Sequence, residues 1–250
     1  MATTSRVRSS LVSVILLCCV PLHLGASSFN IVAPSTTAQT LGAGAGQTGT
    51  VAATGSLTVG GGTVAVTITG NNETLTNLGS ITQTGNGRVV RDNTGVSGLT
   101  ITNGSLTNST ALMQAADADV IQMNVAGGSV LLNNYGRLIS LNASGGGSQA
   151  VDFSAITTGA NTVNNYSTGV MQATEADAVR PGRNGVVYNA GTMLSMTTTG
   201  SSSDGVDAQN NTGIQVTNDT TGTIEGARHG ITGGAANNTV AVKVAYWIGR

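Results

Sequence analysis

A short phrase, glycine then one small or polar residue then an apolar one, recurs along this chain at intervals that few folds can accommodate. It reads Gly79-Ser80-Ile81, Gly104-Ser105-Leu106, Gly136-Arg137-Leu138, Gly169-Val170-Met171, Gly191-Thr192-Met193 and Gly222-Thr223-Ile224, with a weaker first copy at Gly55-Ser56-Leu57. Successive glycines lie 24, 25, 32, 33, 22 and 31 residues apart. An asparagine precedes each of the last six by one to four positions: Asn77, Asn103, Asn134, Asn165, Asn189 and Asn218. A period in this range marks a repeat architecture, in which each unit buries its apolar face only against its neighbours.

Within a unit the apolar residues fall into short alternating runs. Leu57-Thr58-Val59 and Val64-Ala65-Val66-Thr67-Ile68 alternate with period two from Val51 onward, the pattern of a half-buried strand. One strand follows each repeat glycine and is expected to carry Ile81, Leu106, Leu138, Met171, Met193 or Ile224. A second centres on Val89-Val90, Val120-Ile121, Val151, Val179, Val206 or Ile231. A third precedes the next glycine, with Leu99 and Ile101, Val130 and Leu132, Val163, Val186, or Ile214 and Val216. Turns rich in Gly, Asn, Asp and Ser separate them, and no stretch holds a convincing 3.6-residue period. Sandwich turns recur every 8–12 residues without a longer period, and a propeller blade of 40–45 residues is too long. The expectation is all-β: a right-handed parallel β-helix of about 6–8 coils. Its inner face would stack aliphatic side chains in files, and its repeat glycines would turn corners at φ > 0. Its asparagine amides would bond to one another up the stack. Tyr135 and Tyr166, each just after an aligned asparagine, should stack one coil apart.

Composition agrees with order rather than disorder. Charged residues are only 8% of the 250, with net charge −1, yet Val, Ile and Thr abound; disordered chains show the reverse. The expected organisation is 1–26 signal peptide, 27–50 N-terminal cap or linker, 51–240 repeats and 241–250 an atypical tail. Arg6 and Arg8 precede an apolar run from Leu11 to Leu22, and Gly25-Ala26-Ser27-Ser28 offers a cleavage site near Ala26. That run is too short to span a bilayer as a helix. In the first segment only Phe29, Ile31, Val32 and Leu41 look buriable. Both cysteines, Cys18 and Cys19, fall within the leader, so no disulfide or thiolate metal site is expected beyond it. Losing Arg6 and Arg8 leaves eight basic against eleven acidic side chains, which does not gather nucleic acid. The tail holds Lys243 and Trp247, the only Lys and Trp of the chain, and reads as an array cut short or as a natural end segment.

The leader, the cysteine-free Thr/Asn/Gly repeats and Thr221-Gly222-Thr223-Ile224-Glu225-Gly226 followed by His229-Gly230-Ile231 resemble the passenger region of bacterial autotransporters over about residues 51–239. The resemblance implies export from a Gram-negative cell and display or release at its surface. It also implies a C-terminal translocator barrel, for which no ten-residue strands are visible here. The expected location is therefore the cell surface or outside if a barrel is attached, and the periplasm if the chain is truncated.

Acidic residues recur near the second strand: Asp117 and Asp119, Asp152, Glu175 and Asp177, Asp204 and Asp207. Stacked carboxylates could bind calcium or act as a glycosidase pair; Asp is equally at home in the turn before a strand. Arg228-His229-Gly230 is faintly similar to a Gly-His-Gly of polygalacturonases, but its first glycine is missing. Arg180-Pro181-Gly182-Arg183 reads as a solvated basic turn. Gly60-Gly61-Gly62 and Gly145-Gly146-Gly147 lack the lysine and helix of a phosphate loop. No residue is assigned as catalytic, cofactor-binding or metal-ligating, and no cofactor is expected. The expected function is a structural or adhesive surface stalk, a monomer with host or cell-surface glycans or proteins as partners and no membrane insertion. The alternatives are a polysaccharide-degrading β-helix enzyme and a non-functional gene remnant.

Overall fold

A computed structural model describes residues 28–42, 44, 46–143, 147–196, 203–233 and 240–244. The expected leader and the last six residues of the tail lie outside these. The described residues hold 25 strands and no helix, and every strand-to-strand pairing is parallel.

Three sheets run the length of the stack, each taking every third strand. The first contains β1 (Phe29–Ile31), β4 (Thr48–Val51), β7 (Thr74–Asn77), β10 (Leu99–Asn103), β13 (Val130–Asn134), β16 (Asn161–Asn165), β19 (Val186–Asn189), β22 (Ile214–Asn218) and β25 (Val240–Val244). The second contains β2 (Pro34–Ser35), β5 (Ser56–Val59), β8 (Ser80–Gln83), β11 (Leu112–Ala115), β14 (Arg137–Ser140), β17 (Val170–Ala173), β20 (Thr192–Ser195) and β23 (Thr223–Glu225). The third contains β3 (Gln39–Leu41), β6 (Val66–Ile68), β9 (Val90–Asp92), β12 (Ile121–Met123), β15 (Val151–Asp152), β18 (Val179–Arg180), β21 (Val206–Asp207) and β24 (Ile231–Thr232). This is a parallel β-solenoid with a coil number in the expected range. Residues 28–42 supply the first strand of each sheet, and residues 241–244 continue the first sheet.

Equivalent side chains lie over one another because the pairing has no slip. In the second sheet Leu57, Ile81, Met113, Leu138, Met171, Met193 and Ile224 form one inward file. In the first, Leu75, Ile101, Leu132, Val163, Val187 and Val216 form another. All but Ile224 are almost fully buried, and Ile224 packs against them. Each buried side chain of this size contributes about 1.5–3 kcal/mol.

Leu106 does not belong to its expected file. It is 86% exposed at the tip of an excursion, where Ser105 and Asn108 pair across a tight turn. Met113 takes the inward place between Ile81 and Leu138, so the extra residues 104–110 sit outside the repeat. Asn108 pins the excursion to the preceding coil by donating to the Leu78 carbonyl at 2.7 Å. Two smaller corrections follow from strand alternation. Val187, not Val186, faces inward, and Val32 is exposed just past β1.

Six of the seven repeat glycines are not left-handed corners; Gly104, which opens the Leu106 excursion, is one, at φ 80°. Gly55, Gly79, Gly136, Gly169, Gly191 and Gly222 all lack positive φ. They are glycines because a Cβ would strike the coil beneath: the Gly55 carbonyl oxygen at Gly79, the Gly169 and Tyr166 oxygens at Gly191, the Asn189 oxygen at Gly222. Left-handed backbone occurs instead at the corner entering the first sheet, as at Asn72 (φ 59°) and Asn184 (φ 54°).

Beside these glycines runs an asparagine ladder made of all six asparagines expected from the spacing, buried at every rung except the half-buried Asn218. Asn77 donates to Asn103 at 2.8 Å, Asn103 to Asn134 at 2.9 Å, Asn134 to Asn165 at 2.8 Å, Asn165 to Asn189 at 2.8 Å and Asn189 to Asn218 at 2.7 Å. The second amide hydrogen goes to a carbonyl of the following coil, from Leu112, Arg137, Val170, Thr192 and Thr223 in turn. Buried amides are tolerated when their bonds are made, and here each is. The asparagine atoms lie in the space a Cβ would need at Gly169, Gly191 and Gly222, which explains why asparagine and glycine travel together.

Candidate functional site

The recurring acids gather on the outer side of the third sheet, in two files. One lies two positions before the strand and holds Arg88, Asp119, Gln149, Asp177, Asp204 and His229 on successive coils. The other lies just inside the strand and holds Arg91, Gln122, Asp152, Arg180 and Asp207. Asp117 is exposed and Glu175 half-buried in the turns before them, apart from both files.

In the first file each carboxylate ties one coil to the next. Asp119 accepts from the Gln149 backbone N–H at 2.9 Å, Asp177 from that of Asp204 at 2.8 Å, and Asp204 from that of His229 at 3.1 Å. Arginines neutralise them. Arg180 reaches Asp177 Oδ2 through Nε at 2.9 Å and Nη2 at 2.7 Å. Arg228 holds Asp204 through Nε at 3.0 Å and through Nη2. Arg88 approaches Asp119 at 3.6 Å. With its amide nitrogen toward Asp119, Gln149 donates to that carboxylate at 2.9 Å and accepts from Arg180 at 3.1 Å, joining the two files.

Asp177, Asp204 and Asp207 bring carboxylate oxygens within 4.8 Å of one another, and all three residues are buried. Their six oxygens are already engaged: Asp177 and Asp204 as above, and Asp207 by the Gln209 backbone N–H at 2.8 Å and by the Gln209 amide. Burial and the neighbouring Asp177 and Asp204 charges push Asp207 up. Burial pushes Asp119 up, and Asp152 adds to it. Burial would raise Asp204 too, but the Arg228 bonds outweigh it and hold this carboxyl below its usual range. Calcium takes six to eight oxygens, and here the Asp177 and Asp204 oxygens are already held by the Arg180 and Arg228 guanidinium groups. The arrangement is chemically a charge-paired buttress.

Arg180 is thus no solvated turn residue: it ends β18 and its charge is paired. Arg183 is exposed, with one long bond of 3.5 Å to the Thr157 carbonyl. His229 is a turn residue whose Nδ1 lies 2.8 Å from the Thr232 hydroxyl and 3.3 Å from Asp204. Gly145-Gly146 lies outside the described residues. Glu73 stands apart: it is buried, neither carboxylate oxygen has a hydrogen-bond partner among the described residues, and burial raises its pKa.

A second surface was only half visible in the repeat. Tyr135 and Tyr166 stack one coil apart, as expected, with ring centroids 4.1 Å apart and planes 8° from parallel. Tyr188 joins them at 6.4 Å, tilted by 59°. Alternation puts Leu131 and Asn133, Thr162 and Asn164, and Val186 and Tyr188 on the outer face of the first sheet. Asn164 donates to Asn133 at 3.0 Å, and the Tyr166 hydroxyl reaches the same Asn133 oxygen at 3.4 Å. Tyr188 donates to Asp219 at 2.7 Å, which pushes the phenol up and holds the carboxyl down. Beside them a groove of about 240 Å³ is lined by Gly98, Thr100, Ser129, Leu131, Ala160 and Thr162. Sequence reading missed Tyr188 because it precedes its asparagine, whereas the other two follow theirs.

Comparison with known protein families, with curated proteins and with solved structures finds no match to this chain.

Proposed function

We propose that this chain is an exported, rod-shaped adhesive module of the autotransporter-passenger kind, whose sheet faces contact glycans or proteins of other surfaces. The observation that carries this reading is the division of labour between faces. The clustered acids are bonded to the protein's own arginines and backbone, while the outer face of the first sheet presents a broad, nearly uncharged surface. A solenoid with cysteines only in its leader suits passage through a narrow pore and projection from a cell. The test is expression in a Gram-negative host, followed by fractionation, N-terminal sequencing, and binding of the recovered protein to intact cells. The expected outcome is a chain starting near Ser27, found outside the cytoplasm, that binds cells saturably. Cytoplasmic retention with an intact N-terminus would sink the reading.

A second reading, a carbohydrate-active enzyme, draws on the proximity of Asp177, Asp204 and Asp207. Turnover of polyuronides with or without calcium would establish it in place of the first.

A further inference from the structure

We propose that the outer face of the first sheet around Tyr135, Tyr166 and Tyr188 binds a neutral glycan chain laid along the solenoid axis. This rests on the adhesive reading and narrows it to one face and one ligand class. The chain has four tyrosines, and the three that are described meet on this one strip. Their rings are half-buried, with part of each open to solvent. Tyr135 and Tyr166 cover one face of each other, so a ligand meets their solvent-side edges and hydroxyl tips together with the tilted ring of Tyr188, an apolar surface with polar ends that suits the C–H groups and hydroxyls of a sugar.

The neighbouring side chains match the polar half of such a ligand. Asn133 and Asn164 stand half-exposed beside the rings, and the Asn133 oxygen accepts from both the Asn164 amide and the Tyr166 hydroxyl. An amide can make four, so donors and acceptors remain for sugar hydroxyls. Tyr, Asn, Ser and Thr together give rigid contact area and adaptable hydrogen bonding at low entropic cost. Leu131 and the groove walled by Thr100 and Thr162 extend the surface across the sheet.

Charge selects the ligand class. The outward residues Thr100, Thr102, Leu131, Asn133, Thr162, Asn164, Val186 and Tyr188 include no ionisable group except phenol. Asp219 beside Tyr188 adds a negative charge. From β10 to β19 an acidic polysaccharide would find no cation in these rows and one carboxylate against it; the row reaches a cation only at Lys243, two coils beyond Tyr188. A protein hot spot is rich in arginine as well as aromatics, and these rows carry no arginine. The ring stack also runs along the rod axis, so a repeating ligand can meet a repeating surface.

The experiment is isothermal titration of the exported chain with neutral hexasaccharides of glucose, mannose and N-acetylglucosamine, and with hexagalacturonate as the charged comparator. At least one neutral hexasaccharide is expected to bind, and hexagalacturonate is not. Tyr166→Ala should weaken binding at least about tenfold, a loss of about 1.4 kcal/mol. Asn133→Leu, which leaves the rings and the core in place, should do the same, with folding checked by circular dichroism. Asp117→Asn, on the opposite corner, should bind as the parent does. Failure of every neutral hexasaccharide at millimolar concentration overturns the proposal, as does preference for the charged one or full binding by both strip variants. Cell binding that persists after periodate destroys surface glycans also overturns it, while leaving the adhesive reading intact. Loss of export or of all cell binding removes the adhesive reading itself.

Discussion

The side-chain amide of Asn134 donates to Asn165 Oδ1 at 2.8 Å, although 31 residues separate them. Both are fully buried, and each is the last residue of its strand in the first sheet. That bond is one rung of a ladder joining six coils, and it sets register as well as stability: a slip of one residue would swing every amide to the other face.

Removing one rung should therefore cost more than one hydrogen bond. In Asn134→Ala the Asn103 amide loses its acceptor, and the Asn165 oxygen and Val170 carbonyl lose their donor. Buried groups left unpaired cost about 1–3 kcal/mol each, with some relief by relaxation. The expected loss is about 2–4 kcal/mol in urea unfolding. Half-exposed Asn164→Ala, on the outer face of the adjoining coil, should cost under about 0.5 kcal/mol.

The glycine beside the ladder makes a separate prediction. At Gly191 an added Cβ would fall on backbone oxygens of Tyr166 and Gly169, and backbone cannot swing aside. Gly191→Ala should destabilise by about 1–3 kcal/mol or more. Gly127→Ala has open space at an ordinary φ and should be neutral or slightly stabilising. Equal midpoints for the two variants would mean the coils are not in contact at this corner.

How much of this was legible in the sequence depends on what repeats. The asparagine ladder and the Tyr135–Tyr166 stack were, because identical residues at matching offsets announce a shared position. The reason for the glycines was not: positive φ and close approach leave the same letter. Leu106 misled because Gly104-Ser105-Leu106 reproduces the repeat phrase inside an excursion. A better signal was present, since Leu112-Met113-Gln114-Ala115 matches Val170-Met171-Gln172-Ala173, and these strands do align through β14. The acidic recurrence was visible, but its meaning lay in Arg180 and Arg228, whose pairing with Asp177 and Asp204 depends on the corner geometry and on the next coil.

Leu106 and Met113 should differ sharply. Met113 is fully buried in the second-sheet file, so Met113→Ala should cost about 2–5 kcal/mol. Leu106→Ala should change stability by less than about 0.5 kcal/mol, since 86% of that residue is exposed. Thermal unfolding of the two variants side by side decides between the periodic alignment and the observed one.

Glu73 gives the fold a pH dependence of defined sign. Its folded pKa is raised by burial above the value of about 4.3 expected when unfolded. The folded state thus binds the proton more tightly, and this group's stabilising contribution is complete below the unfolded value. It is lost as pH rises through the folded pKa. Glu73→Gln keeps the shape without the charge, so it should be more stable than the parent at pH 7 and should flatten that part of the stability profile. Asp204, held low by Arg228, contributes oppositely, losing its stabilisation as pH falls through its folded value. Urea midpoints from pH 3 to pH 8 for parent and Glu73→Gln measure the effect; identical profiles would mean the carboxyl is solvated.

Register is what every other relationship here depends on, and cross-linking measures it most directly. Thr162 and Val186 are register partners on adjacent coils, 24 residues apart in sequence and both outward-facing. In a chain with Cys18 and Cys19 replaced by serine, the pair Thr162→Cys and Val186→Cys should form a disulfide on mild oxidation, because parallel partners sit within bridging distance. Shifting the second cysteine by one residue, to the inward-facing Val187, should abolish it. A disulfide that forms equally well in both pairs, or in neither, would contradict the superimposed coils.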